Sequence, residues 1–217
     1  MKTKTVLRAL ALLGALAVAT VSKAQLQLHV AVDTSSLVGN PGGPYSLDFQ
    51  LNDGSGWGDS NNTAALSNFQ FGTGTAVGSG STFGGTGGDL SSNVWLTDSN
   101  SLLNDFYQGF TPGSWLSFDL TLTTNVDGGG TPDLFSFAIL DGALMNLPTQ
   151  SLGSDTFMEI NLDSASPSVA TFASLDGLIT ITATPVPEAS TYGLGAAALL
   201  AMMGLSRRFS RRQKVSV

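Results

Sequence analysis

The chain has 217 residues, a formal net charge of −7 and no cysteine. This length is enough for one domain with its own hydrophobic core, and the absence of cysteine excludes disulfides, zinc–thiolate sites, iron–sulfur clusters and cysteine nucleophiles. All nine lysine and arginine residues lie before residue 24 or after residue 206, whereas residues 25–184 hold fifteen of the sixteen acidic residues. A segment with so many carboxylates and no base repels phosphate, so nucleic acid is excluded as a partner.

Residues 1–24 have the pattern of a secretory signal peptide. Three basic residues within the first eight precede an apolar run, and Ser22 and Ala24 place small residues at the positions that a signal peptidase recognises. The apolar run is about 13 residues long, shorter than the roughly 20 that a membrane-spanning helix needs. We therefore expect export by the Sec route, with cleavage after Ala24.

Alternation of apolar and polar residues dominates residues 25–183 and predicts half-buried antiparallel strands. The clearest repeats are 26–32, 45–51 and 116–122; further candidates are 64–71, 90–97, 156–162, 168–173 and 177–183, with 135–140 as a central strand. Residues 102–110 fit a helix or a strand, and the glycine-rich passage 72–88 is a long loop or a weak edge strand.

Asp-Gly pairs separate several of these segments. We predict tight turns with positive φ at their glycines: Gly54, Gly128, Gly142 and Gly177. Short strands with turns between them predict an all-β fold, an antiparallel β-sandwich over residues 25–184, with the jelly roll as one form that it can take.

The last part of the chain, residues 185–217, has three features in order. A Pro-Glu motif comes first, followed by the uncharged stretch Thr191–Leu205, which would form a short hydrophobic helix of about 22 Å against a hydrocarbon core of about 30 Å. An arginine-rich tail from Arg207 to Arg212 ends the segment. This order resembles the PEP-CTERM sorting signal of exported proteins in Gram-negative bacteria. The sorting motif comprises Val186, Pro187, Glu188, Ala189 and Ser190.

The resemblance implies that an exosortase-type processing enzyme acts at the motif after transient anchoring in the inner membrane. Ala189 stands where the family usually has a second proline, and two outcomes stay open: removal of the helix or its retention as a plain anchor. Segments 51–63, 96–99 and 122–141 resemble a recurrent subfamily of the same proteins without an assigned activity. The resemblance implies a place at the cell surface or in the extracellular matrix, in association with exopolysaccharide or biofilm.

Two loops are rich in the oxygen ligands that calcium prefers. The first runs from Asn52 to Asn62, and the second from Asp127 to Asp133. The candidate ligands are Asp53, Asp59, Asn61, Asp127 and Asp133. Neither loop has the spacing of an EF-hand, and the competing interpretation is a set of ordinary Asx turns in solvated loops. Calcium is the only cofactor that the sequence suggests.

Tryptophan is a second source of candidate binding residues, because indole rings stack on sugars. Trp57, within the first acidic loop, is the best candidate for a carbohydrate contact. Trp95 and Trp115 lie on the parity opposite to the apolar faces of their strands, which leaves them exposed or under a second layer. The competing role for each tryptophan is packing in the core or anchoring a loop.

Catalytic groups are scarce. His29 is the only histidine, and no G-x-S-x-G motif accompanies it. A glycosidase needs two carboxylates, one with a raised pKa, and Glu159 is the only glutamate in residues 25–184. We expect an exported structural protein without enzymatic activity; the alternative is a calcium-dependent carbohydrate-binding module.

Overall fold

A computed structural model describes residues 25–186, except residues 56, 57, 100, 127 and 129. The predicted signal peptide, residues 1–24, and the C-terminal segment from Pro187 onward lie outside the described residues, so the predictions on them are not addressed by the structure. Val186 is the one residue of the sorting motif that is described, and its N–H donates to the carbonyl of Gln27 at 2.8 Å.

The described residues contain twelve strands and one 3-10 turn, Ser35–Leu37. The first six strands are β1 Gln25–Asp33, β2 Tyr45–Asn52, β3 Thr63–Gln70, β4 Thr75–Phe83, β5 Gly85–Gly88 and β6 Asn93–Thr97. The second six are β7 Leu103–Thr111, β8 Trp115–Thr123, β9 Leu134–Leu140, β10 Met158–Asn161, β11 Val169–Thr171 and β12 Ile181–Pro185.

These strands form two six-stranded antiparallel sheets that pack face to face. Sheet A has the order β12-β1-β8-β3-β6-β5, and sheet B has the order β11-β10-β9-β2-β7-β4. The chain changes sheet at each successive strand from β1 to β5 and from β6 to β9, and it changes once more between β11 and β12. The predicted all-β sandwich is therefore confirmed.

Phenylalanine rings from both sheets fill the centre of the sandwich. Phe49 of β2 stacks on Phe137 of β9 with ring centroids 5.2 Å apart, and it meets Phe118 of β8 edge-on at 5.3 Å. All three side chains are fully buried. These edge-to-face and stacked arrangements are the geometries that aromatic pairs prefer, so the core of the described domain is closed by residues of β2, β8 and β9.

The glycine-rich passage forms edge strands, as one of its two interpretations predicted. β4 lies at the edge of sheet B and β5 at the edge of sheet A. Gly80 is required in β4, because a Cβ atom there would lie 2.3 Å from the Phe106 ring. Residues 103–111 form β7, which decides the ambiguous segment 102–110 in favour of a strand.

Several predicted strands are too long or misplaced. Strands β6, β10 and β11 are shorter than predicted, and β12 begins at Ile181 rather than at residue 177. Leu90 and Phe157 are buried but lie outside the strands. An apolar residue in a turn can be buried without pairing with a neighbouring strand. Alternation of apolar and polar residues does not distinguish such a residue from one in a paired strand.

The prediction of positive φ at the Asp-Gly pairs is wrong for three of the four glycines. Gly177 has φ +75°, but Gly54, Gly128 and Gly142 do not have positive φ. Position 54 requires glycine because two backbones approach closely there: a Cβ atom would lie 2.2 Å from the carbonyl oxygen of Thr131. This contact joins the two loops that the sequence analysis selected as acidic.

Candidate functional site

One end of the sandwich, formed by the loops after β2, β6 and β8, is called here the acidic end. Asn62 lies at its centre and is fully buried. Its side-chain N–H groups donate to Asp133 Oδ2 at 2.8 Å and to the Asn125 carbonyl at 2.9 Å. Its side-chain oxygen accepts from the Thr123 hydroxyl at 3.1 Å and from the Asn125 N–H at 3.0 Å. One amide thus connects the loop before β3 with the loop between β8 and β9.

The loop after β2 is held against the strand start of β9 by backbone contacts. The N–H of Gly54 donates to Asp133 Oδ1 at 2.8 Å, and the N–H of Ser55 donates to the Thr131 carbonyl at 2.8 Å. In return, the Thr131 N–H donates to the Ser55 hydroxyl oxygen. Asp133, which is 2% exposed, therefore accepts bonds on both of its oxygens and holds the two loops in register.

Asp98 follows β6 directly and lies at the acidic end with its side chain 0% exposed. Its Oδ2 atom accepts the N–H of Asn62 at 2.7 Å, whereas its Oδ1 atom is buried without a hydrogen-bond partner. Burial raises the pKa of Asp98 to about 6 against the opposing effect of the Asn62 N–H, and the charges of Asp133, Asp59 and Asp53 raise it further.

Asp53, in the loop after β2, has a similar environment. Burial raises the pKa of Asp53; the charges of Asp133 and Asp59 add to the increase, while the N–H of Gly58, which donates to Asp53 Oδ2 at 2.6 Å, opposes it. The four carboxylates of Asp53, Asp59, Asp98 and Asp133 are called here the acidic cluster. No lysine or arginine lies between residues 25 and 186, so no basic side chain of this segment neutralises the cluster.

Most of the residues predicted for a calcium site are placed at the acidic end. Asp53, Asp59 and Asp133 belong to the acidic cluster, and Asn61 donates from its backbone and its side chain to the two oxygens of Asp59. The predicted ligand Asp127 and the predicted sugar contact Trp57 lie outside the described residues. Among the described residues, no three or more His, Cys, Asp or Glu side chains form a group that could hold a metal ion.

Asp98 is the member of the cluster that sequence reasoning missed. It is the single acidic residue of segment 96–99, 36 residues after Asn62 and 29 before Asp127, so its spacing in the sequence gives no sign of a shared site. The only available signal was its place in the strand order, because β6 pairs with β3 and this pairing brings residue 98 beside residue 62.

A second pair of carboxyl groups lies on the outer face of sheet B. Asp48 of β2 is 5% exposed, and its Oδ1 atom, like Oδ1 of Asp105 on β7, is buried without a hydrogen-bond donor. Burial raises the pKa of Asp48 to about 8; the hydrogen bond with Asp105 and its charge add to the increase, and the amide of Gln50 opposes it. The environment of Asp48 therefore favours its protonated form.

His29 lies on the outer face of sheet A in a small polar network. Its Nδ1 atom is 2.7 Å from Asp119 Oδ1, and the side-chain amide of Asn68 donates to Asp119 Oδ2 at 2.7 Å. Within the described residues, no serine hydroxyl is hydrogen-bonded to His29. The arrangement is an exposed hydrogen-bonded contact between an imidazole and a carboxylate.

Trp95 and Trp115 are exposed on the outer face of sheet A, at 47% and 45%. Each indole lies against a glycine: a Cβ atom on Gly87 would be 2.7 Å from the Trp95 ring, and one on Gly72 would be 3.2 Å from the Trp115 ring nitrogen. An exposed indole face is the kind of surface on which a sugar ring can stack. Both tryptophans also have a structural role, because they cover glycine backbone.

The end of the sandwich opposite to the acidic end contains a groove of about 510 Å³. Leu37, Tyr45, Leu147 and Ile179 form its apolar part, and Asp141 and Asp176 lie at its rim. Both rim carboxylates accept backbone N–H groups of their own turns, so they stabilise the loops that border the groove.

No helix of the described residues is long and apolar enough to cross a membrane. Comparisons with family models, with curated proteins and with solved structures found no match.

Proposed function

We propose that the chain is an exported structural protein of the cell surface or extracellular matrix, delivered by residues 1–24 and sorted by residues 185–217. Its acidic β-sandwich is the part that remains outside the cell, and association with exopolysaccharide or biofilm follows from the resemblance of its C-terminal segment. The proposal assigns no catalytic reaction.

The separation of charge along the chain is the observation that carries this proposal. Every basic residue lies in the two terminal segments, and the sandwich between them carries only acidic residues. Gln25 pairs with Thr123, and the N–H of Val186 donates to Gln27, so the first and last described residues lie at the same end of the sandwich. A domain attached at one end can be released or tethered without disturbing its core.

Intact-mass measurement of the protein recovered from its own cells tests the sorting. We expect a species that begins at Gln25 and lacks the arginine-rich tail. A double change, Pro187→Ala with Glu188→Ala, should leave the tail in place, whereas Ala189→Pro should be processed at least as completely as the natural chain. A mature natural protein that still carries Arg207 to Val217 would contradict processing and leave a plain anchor.

We also infer that the sandwich is related to the jelly roll. Sheet A contains the order β1-β8-β3-β6, and sheet B contains the order β2-β7-β4, which is the alternation that two interlocked Greek keys produce. The strands β9 to β12 then extend the two sheets at their free edges.

The second candidate function is a calcium-dependent carbohydrate-binding module. It is favoured by the exposed indoles of Trp95 and Trp115 on one sheet face and by the oxygen-rich acidic end. Retention of the protein on an insoluble neutral polysaccharide, measured with calcium and with a chelator, tests it. Retention that is lost in Trp95→Ala and kept in Phe83→Ala, an exposed aromatic on the other sheet, supports the module; no retention of the natural protein removes it.

A further inference from the structure

We propose that the groove at the end opposite to the acidic end binds a small organic cation, namely a protonated amine that carries an apolar body. The apolar body lies against the floor of the groove, formed by Leu37, Leu147 and Ile179, and the ammonium group meets oxygen atoms of the polar side chains that line it. This binding does not depend on how the chain is sorted or on whether it binds a polysaccharide.

The groove combines a buried apolar floor with exposed apolar side chains around it. Leu37 and Ile179 are each 4% exposed, whereas Leu175 and Leu178, which also line the groove, are 68% and 59% exposed. Apolar surface left in water is unfavourable, and when it borders a concave site it marks a place where a ligand binds. A ligand that covers these two leucines removes their surface from water, which supplies affinity for the apolar body.

Tyr45 places a polar group inside this apolar surface. It begins β2, is 3% exposed and lines the groove. Its hydroxyl lies beside Gly42, another lining residue, because a Cβ atom on Gly42 would be 2.9 Å from the hydroxyl oxygen. No hydrogen bond to this hydroxyl is found within the described part of the chain. A phenolic hydroxyl both donates and accepts, so a ligand in the groove can pair with it.

Two carboxylates give the groove its charge. Oδ1 of Asp141 accepts two backbone N–H groups of its turn, and Oδ1 of Asp176 accepts the Ser174 hydroxyl and the Leu178 N–H. These last two bonds lower the pKa of Asp176, which keeps it ionised. Among the described residues, nothing donates to Oδ2 of either carboxylate. Asp141 is close enough to Tyr45 for its charge to raise the pKa of that hydroxyl, after the larger effect of burial.

These charges decide which head group fits the groove. The described part of the chain contains no lysine or arginine, so an anionic head group would meet no basic partner and would be repelled by Asp141 and Asp176. A neutral head group gains hydrogen bonds alone. An ammonium group has three N–H donors, and it gains both hydrogen bonds to oxygen atoms and attraction to the carboxylates.

The size of the groove favours a small molecule over a protein partner. Its volume of about 510 Å³ lies within the range of pockets that hold drug-sized ligands, whereas a stable protein–protein interface needs roughly 800 Å² on each partner. A second copy of the chain is also disfavoured by like charge, because residues 25–184 contain acidic residues and no lysine or arginine.

Three probes that share one apolar body test the head group: 4-phenylbutylamine, 4-phenylbutan-1-ol and 4-phenylbutyrate. Each is titrated calorimetrically at pH 7.0 into the full chain, which a non-ionic amphipathic polymer keeps in solution, since detergent monomers would compete for the groove. NaCl at 0.15 M screens the general attraction of an acidic protein for cations. We expect one site per chain for the amine, with a Kd of about 1 mM or below. The amine should bind about ten-fold more tightly than the carboxylate, with the alcohol between them.

The variants Asp141→Asn and Asp176→Asn each remove one charge and keep the Oδ1 acceptor of the turn. At least one of them should weaken binding of the amine by about three-fold or more and leave binding of the alcohol unchanged. Asp163→Asn, in an exposed loop at the acidic end, is the matched control and should change no affinity. Leu175→Ser should weaken all three probes, whereas Leu152→Ser, at an exposed position outside the groove, should weaken none.

Three results would overturn the proposal: no binding of the amine at 10 mM, equal affinities for the amine and the carboxylate, or an unchanged affinity for the amine in both aspartate variants. If neither aspartate variant folds, Tyr45→Phe applies the same criterion, because it removes only the unpaired hydroxyl and should weaken binding of the amine and of the alcohol.

Discussion

Asp48 shows how a sheet can bury a carboxyl group by placing another carboxyl beside it. Because β2 and β7 are paired, Gln50 lies opposite Asp105, and Asp48 is one diagonal step away on the same face. Burial and the neighbouring carboxyl raise the pKa of Asp48 to about 8. The unfolded chain loses this proton near pH 4, so the folded state binds more protons between pH 4 and pH 8, and stability must fall as pH rises through that window.

Replacing Asp48 by asparagine should remove most of this pH dependence. The contribution is roughly 3 to 5 kcal/mol across the window, so Asp48→Asn should be more stable than the natural chain at pH 8.5 and should differ little from it at pH 4. Asp98, with a pKa of about 6, also makes the stability fall as pH rises, but only below pH 6. Urea unfolding at pH 6.0, 7.0 and 8.5 measures the effect.

Asp141→Asn is the control, since it makes the same change in the turn after β9, where the carboxylate accepts N–H groups of its own turn. It should retain the decrease in stability between pH 6 and pH 8.5. An Asp48→Asn protein with the slope of the natural chain would show that Asp48 is ionised in the folded state.

At the scale of a strand, position in the sheet decides what a phenylalanine contributes. Phe137 lies on β9, which is flanked by β2 and β10 and buried on both faces, whereas Phe83 ends the edge strand β4 and is 58% exposed. Phe137→Ala should therefore lower the free energy of unfolding by about 3 to 5 kcal/mol through lost burial and a cavity. Phe83→Ala should lower it by less than about 1 kcal/mol.

Chemical denaturation of both variants at one pH gives these two values directly. Similar losses at the two positions would mean that β4 is not an edge in solution, and that a further layer covers the outer face of sheet B.

At the scale of the loops, Gly54 is where the two acidic segments come into contact. A side chain there would overlap the carbonyl oxygens of Thr131 and Pro132, at 2.2 and 2.5 Å, and the backbones would have to separate. Gly54→Ala should therefore destabilise the protein by about 1 to 3 kcal/mol. Thermal unfolding of the variant and of the natural chain measures the loss.

Gly128→Ala is the matched control, because no atom lies within 4 Å of a Cβ atom placed there and its φ is not positive. Its stability should stay within about 0.5 kcal/mol of the natural chain. Equal stability of the two variants would mean that the loop after β2 moves away from Thr131 at no cost.

At the scale of the whole molecule, the sandwich is an unneutralised anion. Its carboxylates repel one another, and among the described residues the one contact between a histidine and a carboxylate joins His29 and Asp119. Screening by salt weakens this repulsion more in the compact state than in the unfolded chain. Raising NaCl from 10 to 500 mM at pH 7.5 should therefore raise the melting temperature by several degrees.

A scan of melting temperature against NaCl, with sucrose as a neutral cosolute at matched osmolality, checks this expectation. At pH 4.5, where more carboxyl groups are protonated, the salt effect should be smaller. A melting temperature that falls with NaCl would contradict net repulsion and indicate that internal ion pairs dominate.

The fold class was within reach of the sequence because its signals are local. Alternation over Leu26–Val32 and Leu116–Leu122 reports which side of a strand faces the core, and those strands form β1 and β8, paired residue for residue. The predictions failed where burial was confused with pairing, as at Leu90 and Phe157, and where glycine was selected by contact rather than by φ, as at Gly54.

Some residues of the candidate site could likewise be predicted from the sequence, and others could not. Composition alone marked the loops containing Asp53, Asp59, Asn61 and Asp133, and the charge separation between the sandwich and its terminal segments is a property of the linear chain. Asp98 belongs to the cluster only because β6 pairs with β3, and Asp48 meets Asp105 only because β2 pairs with β7. Residues of like charge that lie far apart in sequence carry no local pattern. Strand order determines which of them meet, and burial then determines whether each favours its charged or its protonated form.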